Sequence, residues 1–240
     1  MDSPATLFDD YFVVVEATTA EMIAAVFRLR YLVLCVEHAW LDPADYPDDM
    51  ERDAYDDRAL YSVLIHRRTG DVVGSVRLVL PVPGEGVDSL PITELADPAA
   101  RPLLRRLIPA SAAEISRYSV SKTFRRRLGE AVYADMSLVT QAERVNMERR
   151  VMPHVTLGLL RGLYNLSVRR GVTHLCAVME PALIRLLARI GVQFEPIGPP
   201  VQFHGVRQPC YLVVDAQHDK VMRTNASFYR VIVSPAVGQK

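Results

Sequence analysis

Three short clusters in this sequence of 240 residues carry side chains able to do chemistry. The segment Glu114-Ile115-Ser116-Arg117-Tyr118-Ser119-Val120 sets a carboxylate, a hydroxyl, a guanidinium and a phenol into an otherwise strand-like run. Read as a strand, it places Glu114, Ser116 and Tyr118 on one face and Arg117 on the other. Charges in such a run mean either an exposed edge or the lining of a cleft. Arg77, set in the apolar run Arg77-Leu78-Val79-Leu80, is a similar oddity. The run Met50–Asp56 offers carboxylates at Glu51, Asp53 and Asp56, acceptors for a cationic amine or for neighbouring arginines. It lacks the glycine turn and the spacing of a calcium loop, so no metal site is expected. Arg30, followed ten residues later by Trp40, forms the third cluster. Taken singly, such residues are more often a solvated helix-end cation and a core aromatic. No Ser–His pair or reactive cysteine motif points to a covalent intermediate.

The elements that must position these clusters follow from periodicity and turn residues. Tyr11–Glu16 reads as a strand, and Thr18 or Thr19 caps a helix that runs toward Val33. An acidic loop covers 37–57. Leu60–His66 and Asp71–Leu80 form a hairpin around Thr69-Gly70. Residues 91–108 read as one or two short helices and Ala113–Val120 as a strand. Residues 129–150 are mostly helical, and Pro153–Arg170 is an amphipathic helix ended by Gly171. Thr173–Val178 is a buried strand, Pro181–Arg189 a helix, and Val192–Pro196 and Pro209–Asp215 are strands. The tail from about Gln217 is poorly defined, with Phe228–Val233 as a candidate late strand. Early antiparallel strands followed by a β-α-β crossover predict one mixed α/β domain over residues 1–240.

The balance of 28 basic and 28 acidic residues gives no global argument for nucleic acid. Cys35, Cys176 and Cys210 are widely spaced, which argues against a disulfide framework or a zinc site. The N-terminus lacks the basic start and apolar run of a signal peptide, and no stretch approaches a membrane span. A cytoplasmic, reduced setting is expected.

The three clusters, in this order, resemble the acyl-homoserine-lactone synthases and their N-acyl amino acid synthase relatives. In that group an arginine is followed ten residues later by tryptophan, then by E-x-D-x-[YF]-D, R-L-x-P-like residues and E-x-S-R-[FY]-x-V. Here these positions are Arg30, Trp40, Glu51/Asp53/Asp56, Arg77, and Glu114/Ser116/Arg117/Tyr118/Val120. The match covers residues 11–122. The continuation Val120-Ser121-Lys122 to Arg125-Arg126-Arg127 looks most like acyltransferases associated with PEP-CTERM/exosortase systems. All share the GNAT fold, so the resemblance implies a mixed, mostly antiparallel central sheet flanked by helices. Arg126-Arg127-Leu128-Gly129-Glu130-Ala131 is similar to the GNAT pyrophosphate loop, where backbone N–H groups at a helix start bind phosphate. Leu34 stands where lactone synthases usually carry phenylalanine, and residues 123–152 look longer than their counterpart. Both features point away from lactone synthesis.

The resemblance implies direct N-acyl transfer from an acyl carrier protein or CoA thioester to the amine of an amino acid-like molecule, with no tightly bound cofactor. The alternatives are a lactone synthase consuming S-adenosylmethionine, or a non-catalytic binder of acyl chains or carrier protein. Catalytic roles fall to Glu114, Ser116 and Arg117, with Glu114 as general base. Acceptor binding falls to Arg30, Trp40, Asp53, Asp56 and Arg77. Donor binding falls to Tyr118, Val120, Arg126, Gly129 and Ala131. The phosphopantetheine arm is expected between the strands 113–120 and 173–178, and the acyl chain in a pocket lined by the helix 153–170. Arg101, Arg105, Arg106 and Arg125–Arg127 are the candidate docking face for an acidic carrier protein.

Overall fold

A computed structural model describes residues 4–122 and 141–235. A short helix α1 (Pro4–Tyr11) leads into β1 (Phe12–Glu16), and α2 (Ala20–Tyr31) follows, capped by Thr19, whose side chain accepts from the Met22 N–H. The chain leaves α2 through a π-helical turn, Leu32–Glu37. The hairpin is β2 (Ala59–His66) and β3 (Val72–Val79). Then come α3 (Pro91–Leu95), α4 (Arg101–Leu107) and β4 (Ala112–Val120). The second half holds α5 (Gln141–Arg170), β5 (His174–Met179), α6 (Pro181–Arg189), β6 (Glu195–Pro196), β7 (Val201–Gln202) and β8 (Val206–Val213). It closes with α7 (Val214–Thr224) and α8 (Ala226–Val233).

The strands form one sheet in the order β1-β2-β3-β4-β5-β8-β6, with β7 paired to β8. Among the described strands only β4 and β5 run parallel, as a β-α-β crossover through α5 requires. Period-two alternation splits the sheet's side chains between two layers. Val14, Leu64, Val76, Leu78, Ala113, Leu175 and Leu212 meet α5 and the C-terminal helices in the larger core. The opposite face carries Tyr61 and Val63 under α2, and Val79, Ala112 and Cys176 under α3 and α4. Helix α5 sits close on β2 because Gly162 has no side chain. A Cβ there would overlap Ser62, lying 2.5 Å from its Cβ.

The expected α/β sheet and most of its elements are present. Four expectations fail. The helix expected from Pro153 runs through that proline from Gln141, the loss of one backbone donor being tolerated in a long packed helix. The strand expected at Val192–Pro196 shrinks to Glu195–Pro196, and the one expected at Pro209–Asp215 begins earlier, at Val206. Phe228–Val233 is helical: Asn225 caps α8 by accepting from Ser227 and Phe228 N–H, and Val231 and Ile232 are buried in the large core. A short apolar run suits a strand or a helix equally, and the cap and the packing decide.

Candidate active site

The site grows from a bulge in β4. Opposite β3, Arg77 pairs with Ser116 and Ser75 with Ser119, so β4 holds one extra residue in that interval. Arg117 accommodates it with a φ of 49°. The bulge overturns the simple alternation. Glu114, Ser116 and Arg117 all serve the α2–α3 face, whereas Tyr118 and Val120 turn to the α5 face. There the Tyr118 hydroxyl donates to Thr156 Oγ1 at 3.2 Å.

On the α2–α3 face the three clusters meet as one ion-pair network. Arg30, at the end of α2, is fully buried and binds Glu51 through Nε and Asp56 through both terminal nitrogens, at 2.7 and 3.0 Å. Arg77 Nη1 binds Asp53 at 2.6 Å and Asp56 at 2.7 Å, while its Nε donates to Ser116 Oγ at 2.9 Å. Arg117 closes the ring on Glu51 and Asp53, each at 2.9 Å. Asp53 and Asp56 also form a capping box on the 3-10 turn Ala54–Arg58, which fixes their orientation. Three cations and three carboxylates balance. Burial alone would raise the Asp56 carboxyl, but the Arg30 and Arg77 guanidiniums hold it well below the usual carboxylate range. The same competition, with Arg77 and Arg117, keeps Asp53 low. Burial alone would weaken Arg30 as a cation, and Asp56 and Glu51 more than offset it.

Beside the network lies a cleft of about 310 Å³. Asp53, Arg77, Glu114, Ser116, Arg117 and Tyr118 line it together with Trp40, which the tertiary structure brings from the turn after α2. Arg30 and Asp56 lie behind that lining. Glu114 is almost completely buried and accepts the Ile92 N–H at 2.6 Å. Burial pushes its carboxyl up to about 8, opposed by the Ile92 hydrogen bond and by Arg77 and Arg58. Parallel pairing of β4 with β5 ends at Ile115–Ala177, so the β4 edge beyond Ile115 has no β5 partner. At this fork Ile115 also lines a second, apolar cavity of about 70 Å³ on the α5 face. That cavity is bounded by Leu160, Leu163 and Tyr164 of α5 and by Leu212, Val221 and Ile232.

The cleft also holds residues that the sequence does not single out, among them Phe203, His204 and Arg207. These three belong to the β7–β8 hairpin, whose tip takes positive φ at His204 and Gly205. His204 stacks on Trp40 with centroids 5.9 Å apart, and Arg207 lies over the same indole at 5.4 Å. The turn signal His204-Gly205 is present in the sequence, but a strand expected only from Pro209 leaves that turn without a flanking strand to make a hairpin. Arg101, Arg105 and Arg106 are exposed on α4, with Arg105 paired to Asp88 at 2.9 Å. Arg125, Arg126, Arg127, Gly129 and Ala131 lie outside the described residues. No helix of the described residues is long and apolar enough to cross a membrane.

Residues 29–134 match the family model described as the acetyltransferase (GNAT) domain. No curated protein matches the chain significantly. Among solved structures, the chain resembles the AHL synthase LasI, with 17% identity, a TM-score of 0.58, and 96% of this chain and 98% of that one covered. It also resembles BjaI, a CoA-dependent acyl-homoserine lactone synthase solved with SAM and isopentyl-CoA, at 21% identity and a TM-score of 0.56, covering 88% and 89%. A third neighbour is FeeM, an N-acyl amino acid synthase from uncultured soil microbes, at 12% identity and a TM-score of 0.57, covering 90% and 97%. The match to the GNAT acetyltransferase model thus spans Arg30, Trp40, Glu51, Asp53, Asp56, Arg77 and Glu114–Val120, and the chain has a GNAT-like fold shared with these solved structures.

Proposed function

We propose that this GNAT-type acyltransferase moves a fatty acyl group from a carrier-protein or CoA thioester directly to the amine of an amino acid-like acceptor. One observation carries the reading. Glu114 and Ile115 are neighbours on β4, yet Glu114 opens only on the polar cleft while Ile115 lines both the cleft and the apolar cavity. A thioester carbonyl at the β4–β5 fork would therefore have an amine site on one side and an acyl-chain site on the other. The parting of β4 from β5 after Ile115 and Ala177 is where a phosphopantetheine arm would enter.

Glu114 takes a proton from the acceptor ammonium. The amine nitrogen then bonds to the thioester carbon, and the C–S bond breaks as the thiol leaves with a proton. A carboxyl near 8 is well matched to an α-ammonium whose reference pKa is about 7.7–8.0, so the transfer is close to isoenergetic. Arg117, Arg77 and Ser116 keep the cleft wall in place through the buried network. Backbone N–H groups at the fork would stabilise the tetrahedral oxyanion.

The test is incubation of the purified protein with dodecanoyl-CoA or dodecanoyl carrier protein and each of a set of amino acids, with S-adenosylmethionine as a separate acceptor. Mass spectrometry should find an N-acyl amino acid. Acyl-homoserine lactone with methylthioadenosine would replace the reading by lactone synthesis, and thioester left intact with every acceptor would replace it by acyl or carrier binding.

A further inference from the structure

We infer that Arg207 receives the carboxylate of the acceptor, so that the cleft selects a zwitterionic amino acid over a simple amine. This rests on the acyl-transfer reading for the word acceptor, but its evidence is separate. Three cations line the cleft: Arg77, Arg117 and Arg207. Arg77 is committed to Asp53 and Asp56, and Arg117 to Glu51 and Asp53. Arg207 has no carboxylate partner among the described residues; its Nη1 donates only to the Val206 carbonyl, at 3.0 Å.

The charge balance gives that difference meaning. The six-membered network is neutral by itself, and Glu114 is largely protonated near neutral pH. What remains at the cleft is Arg207 on the hairpin wall and the carboxylate of Glu94 on the α3 wall. A zwitterion fits such a pair, with its carboxylate at Arg207 and its ammonium toward Glu94 and Glu114. Arg207 is also oriented for the task. Its guanidinium rests on the Trp40 ring, and Phe203 and His204 flank it on the same hairpin. His204 is held neutral, its pKa lowered by burial and by the positive charges of Arg207 and Arg117. A second cation is therefore not added at this wall near neutral pH. The cleft lies on the face of Glu114, opposite the apolar cavity, so Arg207 is placed on the amine side.

The test measures binding first, independent of turnover. A panel of L-amino acids and their methyl esters is titrated into wild-type protein and into Arg207→Gln and Arg207→Lys. At least one free acid should bind wild type about 10–100-fold more tightly than its ester, as a charge-assisted pair predicts. Arg207→Gln should bring acid and ester to equal affinity, and Arg207→Lys should restore part of the difference. Retained ester binding shows that the variant is folded. Equal binding of acid and ester to wild type, no free acid bound, or loss of dodecanoyl-CoA binding instead would each overturn the assignment. If the acids bind as stated but no N-acyl product forms, the acyl-transfer reading falls and the carboxylate site stands. If product forms and Arg207→Gln leaves the acceptor KM unchanged, the reverse holds.

Discussion

Arg77 and Ser116 face each other across the β3–β4 ladder, and the arginine Nε donates to the serine Oγ at 2.9 Å. This contact turns the far end of Arg77 toward Asp53 and Asp56, so a cross-strand pair positions a network that spans three segments of the chain. Breaking the cross-strand contact with Ser116→Ala should cost about 1 kcal/mol or somewhat more, because a buried charged donor loses a partner. Urea unfolding checks it, and an unchanged midpoint would show that Arg77 finds another acceptor.

The network itself is more sensitive to loss of one partner. Arg30→Met leaves Glu51 and Asp56 short of a cation in a buried site and should destabilise the fold by about 3–5 kcal/mol. Arg30→Lys should recover only part of this, since one ammonium cannot reproduce the bidentate grip on Asp56. Thermal unfolding of both variants, read beside wild type, distinguishes a fork-shaped requirement from a simple charge requirement.

Glu114 should leave a signature in pH. Its folded carboxyl titrates near 8 against a reference of 4.5. The native state therefore holds the proton more tightly, and stability from this group is full below about 4.5 and declines as pH rises through 8. Glu114→Gln should remove that decline and be relatively more stable than wild type at pH 9 than at pH 5. The rate of acyl transfer should rise with pH toward a plateau above about 8 in wild type and lose this limb in Glu114→Gln. A limb that persists unchanged in Glu114→Gln would remove Glu114 as the base.

Filling the apolar cavity should change chain-length preference. Leu163→Phe narrows the space beyond Ile115 while leaving the polar cleft intact. Each methylene excluded is worth roughly 1–3 kcal/mol in such a pocket, so kcat/KM should fall at least ten-fold for dodecanoyl donors and little for butanoyl donors. An equal fall for both would place the acyl chain elsewhere.

Gly162 is the point where α5 rests on the sheet. Gly162→Ala forces a methyl into the space of Ser62 and should cost about 1–3 kcal/mol, despite alanine's better helix propensity. Circular dichroism melts measure it, and a raised Tm would mean that the helix can ride outward without loss.

Much of this was legible along the chain, and the reason is locality. Apolar periodicity, the Thr19 cap and the Thr69-Gly70 turn are properties of a few neighbouring residues, so β1, α2 and the β2–β3 hairpin could be read directly. The three charged clusters stood out for the same reason, as charges in apolar or strand-like runs. The assignment of faces in β4 failed because one residue with positive φ at Arg117 shifts every side chain after it. The C-terminal run Phe228–Val233 was ambiguous because its partner, α5, is remote in sequence.

The sequence by itself determined which chemical groups this protein has and the order in which its elements present them. Only the tertiary structure decided how those groups are spent. Arg30, Arg77 and Arg117 are closed onto Glu51, Asp53 and Asp56, whereas Arg207 is brought to the same cleft without an ion-pair partner among the described residues. Ion pairing falls off steeply with distance and depends on burial, and both are set by where distant segments meet.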